Sequence, residues 1–183
     1  MQKDKNLLQH FTTCITSKYF QFSGRASRAE FWGFILFSIL ANQVFAFASN
    51  VFSDIVYYPK LTYGINTLLD TYLLLPSISV GVRRFHDTSR SGWVPVTFGI
   101  LTDITTLQSI TYLFFGSTLF FDNFGSFLPS GGVWFVFFAI ITVVLGIYYI
   151  IIAAQAGAEG LNMYGTNPLS PEIGNEIEDI GLE

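Results

Sequence analysis

Two stretches of this chain, residues 31–52 and 133–154, each run for 22 positions without a formal charge. At 1.5 Å per residue, such a run makes a helix of about 33 Å, enough to cross the hydrocarbon core of a bilayer. Uncharged segments of that length read as transmembrane helices rather than as core helices of a soluble domain. Composition points the same way: 51% of the 183 residues are hydrophobic and 12% are charged, about half the charged fraction of a soluble protein. Twenty Phe, nine Tyr and three Trp add lipid-facing bulk and rings suited to the headgroup level.

Two further apolar runs are less clean. Residues 61–82 are interrupted by Asn66, Asp70 and Pro76. A carboxylate near a helix centre costs about 2.5–3.5 kcal/mol on insertion scales, so Asp70 is expected to face other helices or water. Pro76 is expected to bend its helix and free backbone carbonyls toward the interior. From Trp93 the chain stays largely apolar to Phe121, with Asp103, Thr105, Thr106, Gln108 and Ser109 in the middle. That stretch reads as one tilted span over 93–117 with a surface extension, in preference to a broken helix. Asn123, Gly125, Pro129, Gly131 and Gly132 then mark a turn before the last span.

The expected fold is therefore an all-α integral membrane protein. Four transmembrane helices, at 31–52, 61–82, 93–117 and 133–154, form a single membrane domain over residues 1–171. Residues 172–183 carry five acidic residues and no base, the composition of a disordered tail. Ala46-Phe47-Ala48 has the form of a signal-peptide cleavage site, but the apolar stretch before it is too long and further spans follow.

Ahead of the first span, Leu8, Phe11, Ile15, Tyr19 and Phe22 recur at helical spacing among polar residues. This is an amphipathic helix too polar to span, expected either to lie on the membrane surface or to pack against the protein's own helices. Ser27 followed by Glu30 is a capping-box pattern, which places a helix start near Arg28. The single cysteine, Cys14, excludes an intramolecular disulfide or a cysteine-based zinc cluster and reads as a small apolar helix residue.

Orientation follows from the bases. Lys3, Lys5, Lys18, Arg25 and Arg28 precede the first span, Arg83, Arg84 and Arg90 separate the second from the third, and only Lys60 falls on the other side. The positive-inside rule then puts both termini in the cytoplasm.

That topology gathers Arg25, Arg28, Arg83, Arg84, His86, Asp87, Arg90 and Asn162 on one cytoplasmic face. Guanidinium forks suit phosphate and carboxylate oxygens, so anionic lipid headgroups or a membrane protein partner are the ligands expected there, with Asp87 orienting the bases. Flanking arginines also serve simply to set topology or to pair with Glu30 and Asp87. A second constellation is Asp70 with Asp103: if they meet inside the bundle, they would suit a small oligomeric proton- or ion-coupled transporter or channel. An enzyme acting on a lipid headgroup, with His86 as base, is a third reading. Adjacent residues such as His86 and Asp87 seldom point at one another, however, and no nucleophile elbow, phosphate loop or zinc motif is present. No metal, cofactor or nucleic acid is expected, and a non-enzymatic role is favoured.

Three motifs carry a family resemblance. They are Phe22-Ser23-Gly24-Arg25-Ala26-Ser27-Arg28-Ala29-Glu30-Phe31-Trp32, then Arg83-Arg84-Phe85-His86-Asp87-Thr88-Ser89-Arg90-Ser91-Gly92-Trp93, then Gly160-Leu161-Asn162-Met163-Tyr164-Gly165 with Pro168. In this order they resemble the YhaH-like, domain-of-unknown-function 805 family of bacterial inner-membrane proteins. The chain departs from that pattern at Phe85, where leucine is usual, and in a longer stretch between Trp93 and the third motif. The resemblance implies a helical protein of the bacterial cytoplasmic membrane, and it implies no reaction, ligand or catalytic residue.

Overall fold

The computed structural model of the chain describes residues 6–56, 59–103 and 131–169. These contain five helices: α1 (Leu7–Ile15), α2 (Arg28–Val56), α3 (Pro59–Asp87), α4 (Trp93–Thr102) and α5 (Gly131–Ala154). Expectations for residues 1–5, 57–58, 104–130 and 170–183, including most of the third span and the acidic tail, lie outside the described residues.

α2 begins at Arg28, where the backbone N–H of Glu30 donates to Ser27 Oγ at 3.2 Å. Only that half of the expected capping box forms. The Glu30 carboxylate turns instead to Lys18 and Arg83, because a charged donor binds a carboxylate more strongly than an N-cap amide does. α2 and α3 are the two helices long and apolar enough to cross a membrane among the described residues. Their neighbour α5 starts at Gly131, so two glycines of the expected turn are helical.

α3 corrects the sequence reading most. It runs to Asp87, one and a half turns beyond the predicted span end, so Arg83, Arg84, His86 and Asp87 sit on a helix rather than in a loop. Extension lets Arg84 reach Asp87 one turn on, an i,i+3 ion pair. Pro76 lies inside α3 and has no N–H to bond the carbonyl of Tyr72 four residues back. The Tyr19 hydroxyl donates to that Tyr72 carbonyl at 2.8 Å. The Tyr72 hydroxyl in turn donates to the carbonyl of Ile15.

Those bonds help fix α1, whose inner face packs on the protein's own helices. Phe11 lies against Phe34 and Phe37, with ring centroids 5.7 Å apart in both pairs, and Cys14 is fully buried. The helix stops at Ile15, before Tyr19 and Phe22 of the predicted stripe, and Leu8 and Phe22 remain exposed. α4 folds back on α3 at close range: a Cβ at Gly99 would come within 2.6 Å of Ile78 Cγ1. Stacked rings of Phe85, Tyr149 and Phe98 join α3, α5 and α4. Outward, α2 exposes Leu36, Leu40, Val44 and Phe47, and α5 exposes Val143, Ile147 and Ile151. Apolar stripes of that extent on long helices suit a lipid environment.

Candidate functional site

The charged residues converge where the start of α2, the end of α3 and the segment after α5 meet. Glu30, 5% exposed, takes the Arg83 guanidinium through Nη1 and the Lys18 ammonium at 3.0 and 3.2 Å. Asp87, 3% exposed, takes Arg25 Nε at 2.9 Å on one oxygen and Arg84 Nη1 on the other. Arg83 and Arg84 are 1% and 0% exposed. Four cations thus surround two carboxylates in a buried setting, and backbone oxygens offset the surplus charge.

Arg84 donates through Nε to the Ala153 carbonyl at 2.9 Å and through Nη2 to that of Gln155. These carbonyls stand at the C-terminal end of α5, the negative end of its dipole. Arg25 donates through Nη1 to the carbonyls of Gly160 (2.7 Å) and Gly165 (3.3 Å) and through Nη2 to that of Ala158. The backbone N–H of Ala158 donates to the Asp87 carbonyl at 2.7 Å, and the Ala26 N–H to the Arg83 carbonyl at 3.0 Å. Gly157 permits this approach, since a Cβ there would overlap the Asp87 carboxylate.

Asp87 therefore organises Arg25 and Arg84, whereas its neighbour His86 points elsewhere. His86 Nδ1 lies 3.2 Å from the Gly24 carbonyl, and its ring stacks on Tyr164 at 3.8 Å between centroids. Asn162 donates from Nδ2 to the His86 carbonyl at 2.9 Å and to Ser89 Oγ at 3.3 Å. Arg90 is exposed and donates to the Tyr148 hydroxyl at 2.8 Å. Arg28 is exposed and forms no ion pair among the described residues.

Lys18, Tyr164 and Cys14 were not singled out as site residues from the sequence, yet they complete the cluster. The Cys14 thiol donates to Glu30 Oε1 at 3.6 Å and accepts from Arg83 Nη2 at 3.8 Å. Burial, reinforced by the Glu30 charge, pushes its pKa up, so it stays a thiol. A polar neighbour at helical spacing would not have revealed this, because Glu30 and Arg83 come from other helices.

Residues 19–125 match the model of a family of proteins of unknown function, DUF805. This match takes in more than half of the chain, from the segment before α2 through α4. The chain belongs to the DUF805 family. Among curated proteins it is similar to inner membrane protein YhaI of Escherichia coli K12, 33% identical over 85 residues. That alignment covers 46% of this chain and 67% of YhaI. Inner membrane protein YhaH of the same strain is 34% identical over 86 residues, 46% of this chain and 68% of YhaH. No solved structure matches. The DUF805 match contains both Arg25 and the Arg83 to Asp87 turn, the two sides of the buried cluster, whereas Asn162 and Tyr164 fall beyond it.

Proposed function

We propose that this DUF805 chain is a four-span protein of the bacterial inner membrane, with both termini cytoplasmic, whose basic end binds anionic lipid headgroups. The names of YhaI and YhaH support the location, and the bias of bases toward one end supports the orientation.

One observation carries the lipid reading. Arg25, Arg83 and Arg84 are spent on internal partners, and the exposed guanidiniums of Arg28 and Arg90 each have an exposed indole close by in sequence. Trp32 follows Arg28 by one helical turn on α2, and Trp93 opens α4 three residues after Arg90. They are 39% and 73% exposed. Indoles favour the headgroup level, and a guanidinium beside one meets lipid phosphates there. The buried arginines act as positioning residues that hold the ends of α2 and α3 together.

Native mass spectrometry of the detergent-extracted protein, offered phosphatidylglycerol or phosphatidylcholine, tests this. Wild type should retain phosphatidylglycerol preferentially. At about 1 kcal/mol per base near an anionic surface, Arg28→Gln with Arg90→Gln should weaken retention about thirtyfold, while costing the fold no more than the exposed Arg90–Tyr148 hydrogen bond, about 1 kcal/mol. Equal retention by wild type and the double variant would sink the lipid reading. A stoichiometric membrane protein retained in place of lipid would replace it with the partner reading.

A further inference from the structure

α2 carries two amides at a depth where hydrocarbon offers nothing to bond them. Gln43 stands about 22 Å along the helix from Arg28 and about 20 Å from Val56, midway along the span. Asn50 follows it by seven residues, two turns further on. Both are exposed, and neither side chain has a hydrogen-bond partner among the described residues. An amide side chain has two donors and an acceptor oxygen, and lipid chains meet none of them. Other polar side chains of the spans are met from within the chain. Asn66 Oδ1 on α3 accepts from Ser49 Oγ at 3.3 Å, and the Thr71 hydroxyl donates to the Thr67 carbonyl at 2.7 Å.

A second observation is the pattern in which these amides sit. Leu36, Leu40, Gln43, Phe47 and Asn50 recur at intervals of four, three, four and three residues, and all five are exposed. This is the 3.5-residue repeat of a coiled-coil seam, sustained over about four turns. Helix pairs in membranes commonly cross with the same left-handed geometry. The opposite side of α2 is already taken, since Phe34 and Ser49 are buried in the bundle.

We propose that this face of α2 is the interface with a second copy of the chain, the two α2 helices pairing in parallel about a twofold axis along the membrane normal. Copies inserted with the same orientation hold equal residues at equal depth, so each amide meets its own counterpart. A carboxamide donates and accepts at once and is therefore complementary to itself, as a twofold contact requires. A different membrane protein would need amides at matching depths on its own helix, which a second copy has by construction. Leu36, Leu40 and Phe47 pack the seam between them. Apolar burial supplies no drive between helices in lipid, so packing and the amide bonds set register and partner.

The test is sedimentation equilibrium of the full chain in zwitterionic detergent micelles, at a series of detergent-to-protein ratios. The absence of anionic lipid keeps headgroup binding out of the result. Wild type should dimerise, and the dimer should dissociate as detergent dilutes the chain. Gln43→Leu should weaken association about tenfold, through loss of amide bonds from both copies, and Asn50→Leu somewhat less. Thermal melting identifies a variant that fails to fold, in which case the other amide decides. Oxidative crosslinking in membranes, before extraction, locates the contact. Phe47→Cys should give a disulfide-linked dimer, and Val143→Cys on the exposed face of α5 should not, while the buried Cys14 gives no background. Wild type that stays monomeric at every ratio would overturn the proposal. So would association unchanged in both folded amide variants, or crosslinking through Val143→Cys in place of Phe47→Cys. A stoichiometric crosslink from Phe47→Cys to a different membrane protein would give the face to that protein instead.

Discussion

The bundle holds two sets of acidic side chains in opposite circumstances. Glu30 and Asp87 lie nine-tenths or more buried, and each is held by two cations of the chain itself. Asp70 and Asp103 share a cavity that no described base lines. A buried charge with its counter-charges already in place is architecture, since removing one partner strands the others. Asp70 is exposed and keeps the solvent that Glu30 and Asp87 have given up, so it needs no counter-charge from the chain. Charge density in the sequence thus points to the basic end, and burial in the structure shows which of its charges are architecture.

The largest expected effect tests this contrast directly. Asp87→Ala strands Arg25 and Arg84 and should cost about 3–5 kcal/mol, measured as lost melting temperature in detergent. Asp70→Asn should leave melting unchanged or raise it, because it removes an exposed charge that has no described base beside it. Equal losses in the two variants would erase the distinction.

A smaller effect sharpens the architecture of the basic end. Gly157→Ala pushes a methyl into the Asp87 carboxylate and should cost about 1–3 kcal/mol, as overpacking does. An unchanged melting temperature would mean that the segment after α5 is not tied to Asp87.

The smallest effect is a rate. Cys14 is buried and its pKa is raised above its ordinary value of 9.0, first by desolvation and then by Glu30. A raised pKa stabilises the fold below the unfolded value, and that contribution is lost as pH rises through the folded value. Maleimide labelling at pH 8 should therefore be slow in the folded chain and faster in Glu30→Gln, which loosens the Lys18 and Arg83 contacts. Rapid labelling of wild type would show the cluster open to water.

Much of the helix pattern was legible because it rests on local features. Ser27 marks the start of α2, and uncharged runs mark α2 and α5, through residues only a turn apart. The end of α3 was misplaced for an equally physical reason. Arg83, Arg84 and Asp87 look like loop residues by polarity, and their burial on a helix depends on partners the sequence does not place nearby. The freed Tyr72 carbonyl followed from Pro76, but its partner Tyr19 did not, being 53 positions away.

The sequence by itself determined a helical chain with the outward apolar surface of a membrane protein, its bases gathered mostly at one end, and a family resemblance carried by three motifs. Periodicity, capping and desolvation act over one or two turns, so they can be read in order along the chain. Only the tertiary structure decided which arginines are buried and which are exposed. Arg25 meets Asp87 across 62 positions and Gly160 across 135, and Asp103 reaches the cavity of Asp70 because α4 folds back along α3. Such pairings are set by helix packing, which no local pattern of residues encodes.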